Sequence, residues 1–340
     1  MVKILVTGGA GFIGSNFIRH MLKKYPYYKI INFDKLTYAG NLENLKDVEK
    51  NRNYKFIRGD ICDRKKVTKV MKDVDYVVHF AAETHVDRSI LYNKEFIMTN
   101  VYGTYVLLEA ARNCKKLKKF IHISTDEVYG SIEDGRCKEN APLCPSSPYA
   151  ASKASSDMLV LSYFKTYNLP VIITRSCNNY GPYQYPEKLI PLFITNILEN
   201  KHLPLYGKGE NVRSWIFVED NCEAIDLVLH KGRVGEIYNI SVGEEKKNIE
   251  VAMLLLCLMG KPFSRIKYVD DRPGHDYRYA IDNKKIKGLG FRKKMSFTEG
   301  LKYTIEWYKN NIDWWKRIKY RDSFKKYYNR WYNRKKDTLL

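Results

Sequence analysis

Short apolar, β-branched runs recur through the first half of the chain, and each is followed by a stretch whose apolar residues return every three or four positions. KILVT from Lys3, KIINFD ending at Asp34, YKFIRGD ending at Asp60, YVVHFAAET, KFIHISTD and PVIITRSC read as buried strands, because parallel strands covered on both faces are nearly continuously apolar. The stretch between the first two, running through about Lys24, carries one apolar face and predicts an amphipathic helix. Strand and helix keep alternating to Cys177, which predicts an α/β fold built on a doubly wound parallel sheet.

After Cys177 the pattern breaks. NNYGPYQYPEKLIP is rich in Asn, Tyr, Gly and Pro, which marks loops. LPLYGKGENVRSWIFVED then leads to a short strand and helix that return to the first lobe, and the apolar helix IEVAMLLLCLMG follows. The expected division is 1–177 plus about 214–242 for one lobe, about 178–213 plus 243–315 for a smaller α/β lobe, and a basic tail over 316–340. A helix from Ser296 to Asp313 is expected to dock on the second lobe, and the tail to be a peripheral helix with solvated lysines.

Glycines sit between the first strand and the first helix. Gly9, Gly11 and Gly14 satisfy GxGxxG, while Gly8, Gly11 and Gly14 satisfy the wider GxxGxxG spacing. A backbone that must turn sharply and bring N–H groups up to a pyrophosphate needs such residues, as in a Rossmann-type sheet. Asp34 ends the second strand twenty positions beyond Gly14. A carboxylate there accepts hydrogen bonds from an adenosine ribose and repels a 2′-phosphate, so NAD is favoured over NADP, although Lys35 beside it weakens the preference. Ala81 and Ala82 end the fourth strand and let a cofactor lie against the backbone.

Two further stretches carry reactive groups. STDEVYG places Thr125, Asp126 and Glu127 at the carboxyl end of a strand, where ligands sit in open α/β sheets. SPYAASK places Tyr149 and Lys153 four apart at a helix start, on one face. The same spacing at Tyr25/Lys29 and Tyr332/Lys336 lacks that context: Pro26 breaks the first, and the second lies in the charged tail. In the second lobe, Lys188, Arg213 and Arg272 are loop cations suited to a diphosphate, and His275 and Tyr277 gather with Arg272 around Pro273 and Gly274. Asn248 heads a helix, where capping is its plain role. His79, His85 and His122 read as packing or hydrogen-bonding residues.

Net charge changes the picture little. The formal +21 over 340 residues comes from lysines spread along the chain, densest from Lys316 to Lys336, and reads as a solvated surface; no nucleic-acid motif of defined spacing accompanies it. The seven cysteines have no zinc-type spacing, so no metal is expected, and reduced thiols in a cytoplasmic protein are the reading. The first strand begins too early for a signal peptide, and Ala252 to Met259, the longest apolar run, is too short to span a bilayer.

TGGAGFIGSNF, FDKLTYAGN, AAETHVDRSI, STDEVYG, SPYAASK, NNYGPYQYPEKLIP and DRPGHDYRYAID together make the chain resemble the extended short-chain dehydrogenase/reductases and, among them, the dTDP-glucose 4,6-dehydratase family, from Lys3 to about Tyr332. Asp126 followed by Glu127 separates this subgroup from epimerases and decarboxylases, which oxidise C4 of the sugar without eliminating water. The resemblance implies NAD as cofactor, dTDP-glucose as substrate, and a homodimer paired through helices near 93–113 and 148–167. It implies that Tyr149 takes the glucose O4 proton as the C4 hydride moves to NAD, with a cation such as Lys153 or the nicotinamide favouring the phenolate. Glu127 then removes H5, Asp126 protonates the departing C6 hydroxyl, the hydride returns to C6, and Thr125 polarises the ketone.

By the same resemblance Gly8, Gly11, Phe12, Ile13 and Gly14 line the NAD site. Asp34, Lys35, Thr37, Asp60, Ile61, Ala81, Ala82, Thr99 and Asn179 complete it beside Tyr149 and Lys153. Thr84, Asn178, Lys188, Leu189, Pro204 and Tyr206 hold the nucleotide sugar, together with Thr125, Arg213, Asn248, Arg272 and His275. Thr84 stands where serine is usual, and Ser176-Cys177 where Cys-Ser is frequent. A UDP-sugar 4,6-dehydratase or UDP-sugar 4-epimerase of the same fold is the alternative, because the loops that contact the base do not separate thymine from uracil.

Overall fold

The computed structural model describes residues 1–332. Six strands follow one another in the first half: β1 Lys3–Thr7, β2 Lys29–Asp34, β3 Tyr54–Arg58, β4 Tyr76–His79, β5 Lys119–Thr125 and β6 Val171–Ser176. The chain then leaves through β7 Asn178–Tyr180, β8 Leu203–Tyr206 and β9 Val212–Phe217 before β10 Ile237–Ile240 returns beside β6. The resulting sheet has seven strands, all parallel, in the order β3-β2-β1-β4-β5-β6-β10. From β1 the order runs outward in both directions, which opens a crevice beyond the carboxyl ends of β1 and β4.

Side-chain alternation explains why helices cover both faces. On β1, Ile4 and Val6 enter a core with Phe17 and Ile225, whereas Leu5 enters a separate core with Val67, Leu107 and Val171. The helix Phe12–Lys24 buries Phe17, Ile18 and Met21 and turns its lysines outward. The helix Pro148–Tyr167 begins on Ser147, whose hydroxyl accepts from the Ala150 amide at 3.1 Å, with Pro148 in the first turn. It ends where Asn168 adopts a left-handed conformation.

A second core is built around Tyr180, Phe193, Trp215, Leu255, Phe297 and Trp315. Two small sheets frame it: β9 lies between β7 and the short strand β11 Glu245–Lys247, and β8 pairs with β12 Ile266–Val269. The helix Phe297–Asn310 docks here on a capping box between Ser296 and Glu299. Gly300 lets that helix press on the Tyr180 hydroxyl, where a Cβ would collide.

The segment expected as a peripheral helix with solvated lysines is helical as far as Tyr332, but it is not peripheral. It forms the helices Ile312–Lys319 and Asp322–Tyr332, with Trp314, Trp315, Ile318, Phe324, Tyr327 and Trp331 buried. Within each helix the buried positions fall on one face: Trp314, Trp315, Ile318 and Phe324 join the second core, Tyr327 packs on His85 and Arg88, and most lysines face water. Lys319 is the exception, buried with its ammonium on Asn196 Oδ1 at 2.9 Å and Glu199 Oε2 at 2.7 Å. The rest of the expected tail, 333–340, lies outside the described residues. Among the described residues no helix is long and apolar enough to cross a membrane, and no cluster of His, Cys, Asp and Glu is placed to hold a metal.

Candidate active site

Two adjoining cavities, about 290 Å³ and about 140 Å³, open along the carboxyl ends of the sheet and into the second core's loops. The larger is lined by the glycine turn, by Phe12 and Ile13, and by Asp34, Lys35, Thr37, Asp60 and Ile61. Ala81, Ala82, Thr84, Thr99 and Asn179 continue its wall to Thr125, Asp126, Glu127, Tyr149 and Lys153. The smaller is lined by Leu189, Pro204, Tyr206, Arg213, Asn248, Arg272 and His275. Asn178, Lys188 and Glu127 face both, so every residue that the resemblance placed in the site lies on one continuous surface.

The structure selects one glycine register. Gly8 has φ +70°, and its Cα faces the Ala81 backbone; a Cβ on Gly14 would run into the Gly8 carbonyl oxygen. Gly9 points the other way, into Asn32 and Ile18. The spacing that shapes the cavity is therefore Gly8, Gly11 and Gly14, with the amide end of the helix Phe12–Lys24 directed into it. Asp34 is locked in place, accepting from the amides of Ala10 at 2.9 Å and Leu36 at 2.8 Å. Burial raises its pKa, which those two hydrogen bonds partly offset. Lys35 is drawn aside into an ion pair with Asp60 at 2.6 Å.

At the junction of the cavities β5 ends in a 3₁₀ turn, Asp126–Tyr129. The Thr125 hydroxyl caps it, accepting from the Glu127 amide at 3.3 Å and donating to Asp126 Oδ1 at 3.2 Å. Asp126 Oδ2 and Glu127 Oε2 are buried with no protein partner, a costly state that points to a ligand. Burial, and then the charge of Glu127, push the Asp126 carboxyl up to about 7. Burial also raises Glu127, against the opposing charges of Arg272, Lys188 and Arg213. The Tyr149 phenol is raised by burial and by Glu127, with Thr125 as the hydrogen-bond partner that opposes this. Lys153 does not turn to that phenol for its hydrogen bond: its ammonium donates to the Ile123 carbonyl at 2.8 Å, and burial lowers it to about 8 while Asp157 holds it up.

The smaller cavity concentrates cationic groups. Arg213 is buried, spans the carbonyls of Val212, Asp276 and Tyr277, and lies 4.2 Å from the Tyr279 ring centroid. Arg272 pairs with Asp87 at 3.0 Å and leaves its Nε buried and unpartnered. Lys188 donates to the Thr84 carbonyl at 2.8 Å. Asn248 is not the helix cap: Lys247 takes that position, and the Asn248 side-chain oxygen is buried without a partner. His275 is held on Asp271 at 2.6 Å, and burial lowers it to about 4.

Sequence reasoning misplaced or missed several lining residues. Tyr277 is 53% exposed, and Tyr279, two positions on, faces the cavity instead. Glu83, which burial pushes up to about 7, and Glu187, paired with Arg88 at 2.8 Å, line the larger cavity. Glu83 directly follows the small pair Ala81-Ala82 and was within reach of the same argument. Tyr332 reaches the smaller cavity from the last described helix, where only the aromatic periodicity hints at burial.

A glycine-turned first strand, a carboxylate fixed at the end of β2, and a Tyr/Lys helix set beside two acids with unpartnered oxygens define an enzyme of the short-chain dehydrogenase/reductase class. A family model described as GDP-mannose 4,6 dehydratase matches residues 5–304. A dTDP-glucose 4,6-dehydratase from Streptomyces niveus is 51% identical over 94% of this chain and 96% of its own. The crystal structure of a dTDP-glucose 4,6-dehydratase from Bacillus anthracis in complex with NAD is 52% identical, with TM-score 0.88 over 94% of this chain and 100% of that one. A Streptomyces venezuelae enzyme of the same name, with NAD and TYD bound, has TM-score 0.91 at 50% identity over 93% and 100%. The chain belongs to the GDP-mannose 4,6 dehydratase family and stands within it among the dTDP-glucose 4,6-dehydratases.

Proposed function

We propose that this protein is an NAD-dependent hydro-lyase that converts dTDP-glucose to its 4-keto-6-deoxy product. One observation carries the reading: two adjacent carboxyls, each with a buried and unpartnered oxygen, stand beside a buried phenol where the two cavities meet. An epimerase needs the phenol but not the acid pair, which disfavours that alternative.

The larger cavity fits NAD. Its glycine turn leaves no side chain between the Phe12–Lys24 helix and a pyrophosphate, Asp34 is fixed for a ribose, and the Asn179 side-chain oxygen is buried without a partner. Bound there, NAD supplies the acceptor for a hydride from C4 and its donor to C6. The protein moves the protons. Tyr149 Oη takes the proton of O4, and Thr125 bonds the sugar oxygen beside it. Oxidation makes H5 acidic; Glu127 removes it, Asp126 gives its proton to the departing O6, and Glu127 returns its proton to C5 once C6 has received the hydride. Arg213, Arg272 and Lys188 bind the diphosphate, with Tyr206 and Pro204 toward the nucleoside. In this reading the lobe of 1–177 with about 214–242 carries the cofactor, and that of about 178–213 with 243–315 carries the nucleotide sugar.

The direct test is incubation with dTDP-glucose and, separately, UDP-glucose. Formation of the 4-keto-6-deoxy sugar from the first, at least tenfold faster than from the second, is expected; an epimerised sugar without dehydration would refute the reading. The pH profile gives a second test. Asp126 must be protonated to act as the acid, and with its carboxyl near 7 that form is present below about 7 and lost above. Turnover at saturating substrate is therefore expected to fall on the alkaline side through that region. Asp126→Asn should remove this limb along with most activity, and an unchanged limb in that variant would take the acid role from Asp126.

Ile97, Met98, Tyr102, Met158 and Tyr167 are exposed on the packed segments of 93–112 and Pro148–Tyr167, which supports pairing of two copies through those helices. Sedimentation as a monomer at micromolar concentration would end that part of the reading. A nucleotide sugar, rather than nucleic acid or a membrane, is the proposed partner.

A further inference from the structure

Beneath the cavity floor, a run of buried hydrogen bonds joins two parts of the site that are distant in sequence. Asp157 lies one helical turn beyond Lys153 on Pro148–Tyr167 and is fully buried. Its Oδ2 accepts from Nε of Arg175, on β6, at 2.9 Å. Nη1 of that guanidinium donates to the Tyr129 hydroxyl at 2.8 Å, which in turn donates to Asn239 Oδ1, on β10, at 2.9 Å. Tyr129 closes the 3₁₀ turn that carries Asp126 and Glu127, and the guanidinium also lies 4.7 Å from its ring centroid. None of the three lines either cavity.

We propose that Asp157, Arg175 and Tyr129 are positioning residues: a buried strap that holds the Asp126–Glu127 turn in register with the Tyr149/Lys153 helix, and so matches water elimination to sugar oxidation. The strap is charged rather than neutral. Burial works against the Asp157 carboxylate, yet the His122 ring, whose Nε2 lies 3.4 Å from Oδ1, and the charge of Arg175 keep its pKa below the usual value. A guanidinium fixed by a carboxylate on one side and a phenol on the other has little freedom, so the turn cannot shift without breaking a bond to a buried charge. On the acid pair itself Thr125 holds Asp126 Oδ1, but Asp126 Oδ2 and Glu127 Oε2 are unpartnered, so these side chains add little to the hold on the turn.

This inference rests on the dehydratase reading, and the test separates the two. Tyr129→Phe removes one hydroxyl and keeps the ring. The paired variant Asp157→Leu with Arg175→Met removes both charges together, so that neither is left buried alone. In holoenzyme turning over dTDP-glucose, Tyr129→Phe is expected to slow elimination roughly tenfold relative to C4 oxidation, since small misplacements of reacting groups cost that much or more. The readout is a larger steady-state fraction of reduced nicotinamide and slower H5 exchange with solvent, with the melting temperature nearly kept. The paired variant should move the partition further; should it fail to fold, Tyr129→Phe alone decides. Equal slowing of both steps, or an unchanged reduced fraction, overturns the strap. A wild-type protein that makes no 4-keto-6-deoxy sugar overturns the functional reading and this inference with it, before any substitution is made.

Discussion

Glu127→Gln is expected to stop the reaction after its first half, lowering turnover about a thousandfold, within the range that positioned acid–base groups contribute. Glutamine keeps the size of the side chain and removes its basicity. The charge of Glu127 is one of the influences that raise both Tyr149 and Asp126, so its loss eases removal of the O4 proton while leaving H5 without a base. Reduced nicotinamide should therefore build up on addition of dTDP-glucose, with little 4-keto-6-deoxy sugar released and H5 retained in deuterated solvent. Product formed at the wild-type rate, or no reduced cofactor at all, would remove Glu127 from the role given to it.

Tyr149→Phe is expected to have a loss of similar size, about a thousandfold, but with the opposite signature. No group then takes the O4 proton, so neither reduced nicotinamide nor H5 exchange should appear. The fold should be little affected, because the substitution keeps the ring that Tyr149 sets edge to face against Phe96, with centroids 6.2 Å apart. Melting curves and a cofactor-binding titration check this, and a variant that still reduces the nicotinamide at a comparable rate would require another base. Together the two substitutions divide the reaction at the ketone.

The parallel sheet was largely legible in the sequence for a physical reason. Buried parallel strands must be apolar on both faces, and a pyrophosphate turn tolerates few residues but glycine, so KILVT and the glycines after it announce themselves. The glycine register was not legible, since Gly8 and Gly9 fit two overlapping spacings and only the packing of Gly9 against Asn32 separates them. Thr125, Asp126 and Glu127 could be placed because a strand end fixes where they face. Arg272 could be named as a loop cation, and it lines the smaller cavity, but its partner Asp87, 185 positions away, could not be named. The exchange of Tyr277 for Tyr279 is an error of phase in an irregular segment, where neither period of two nor of 3.6 applies. Past Lys316 the density of lysines hid an aromatic stripe that needed only to be read at helical spacing.

That stripe bears on how the enzyme is made. Since Tyr332 lines the smaller cavity, a chain leaving the ribosome can form its glycine turn and most of its parallel sheet long before that cavity has all of its wall. The pocket is thereby finished only once the helix Asp322–Tyr332 has been made and has docked, and a cut ahead of that helix would be felt in the pocket itself.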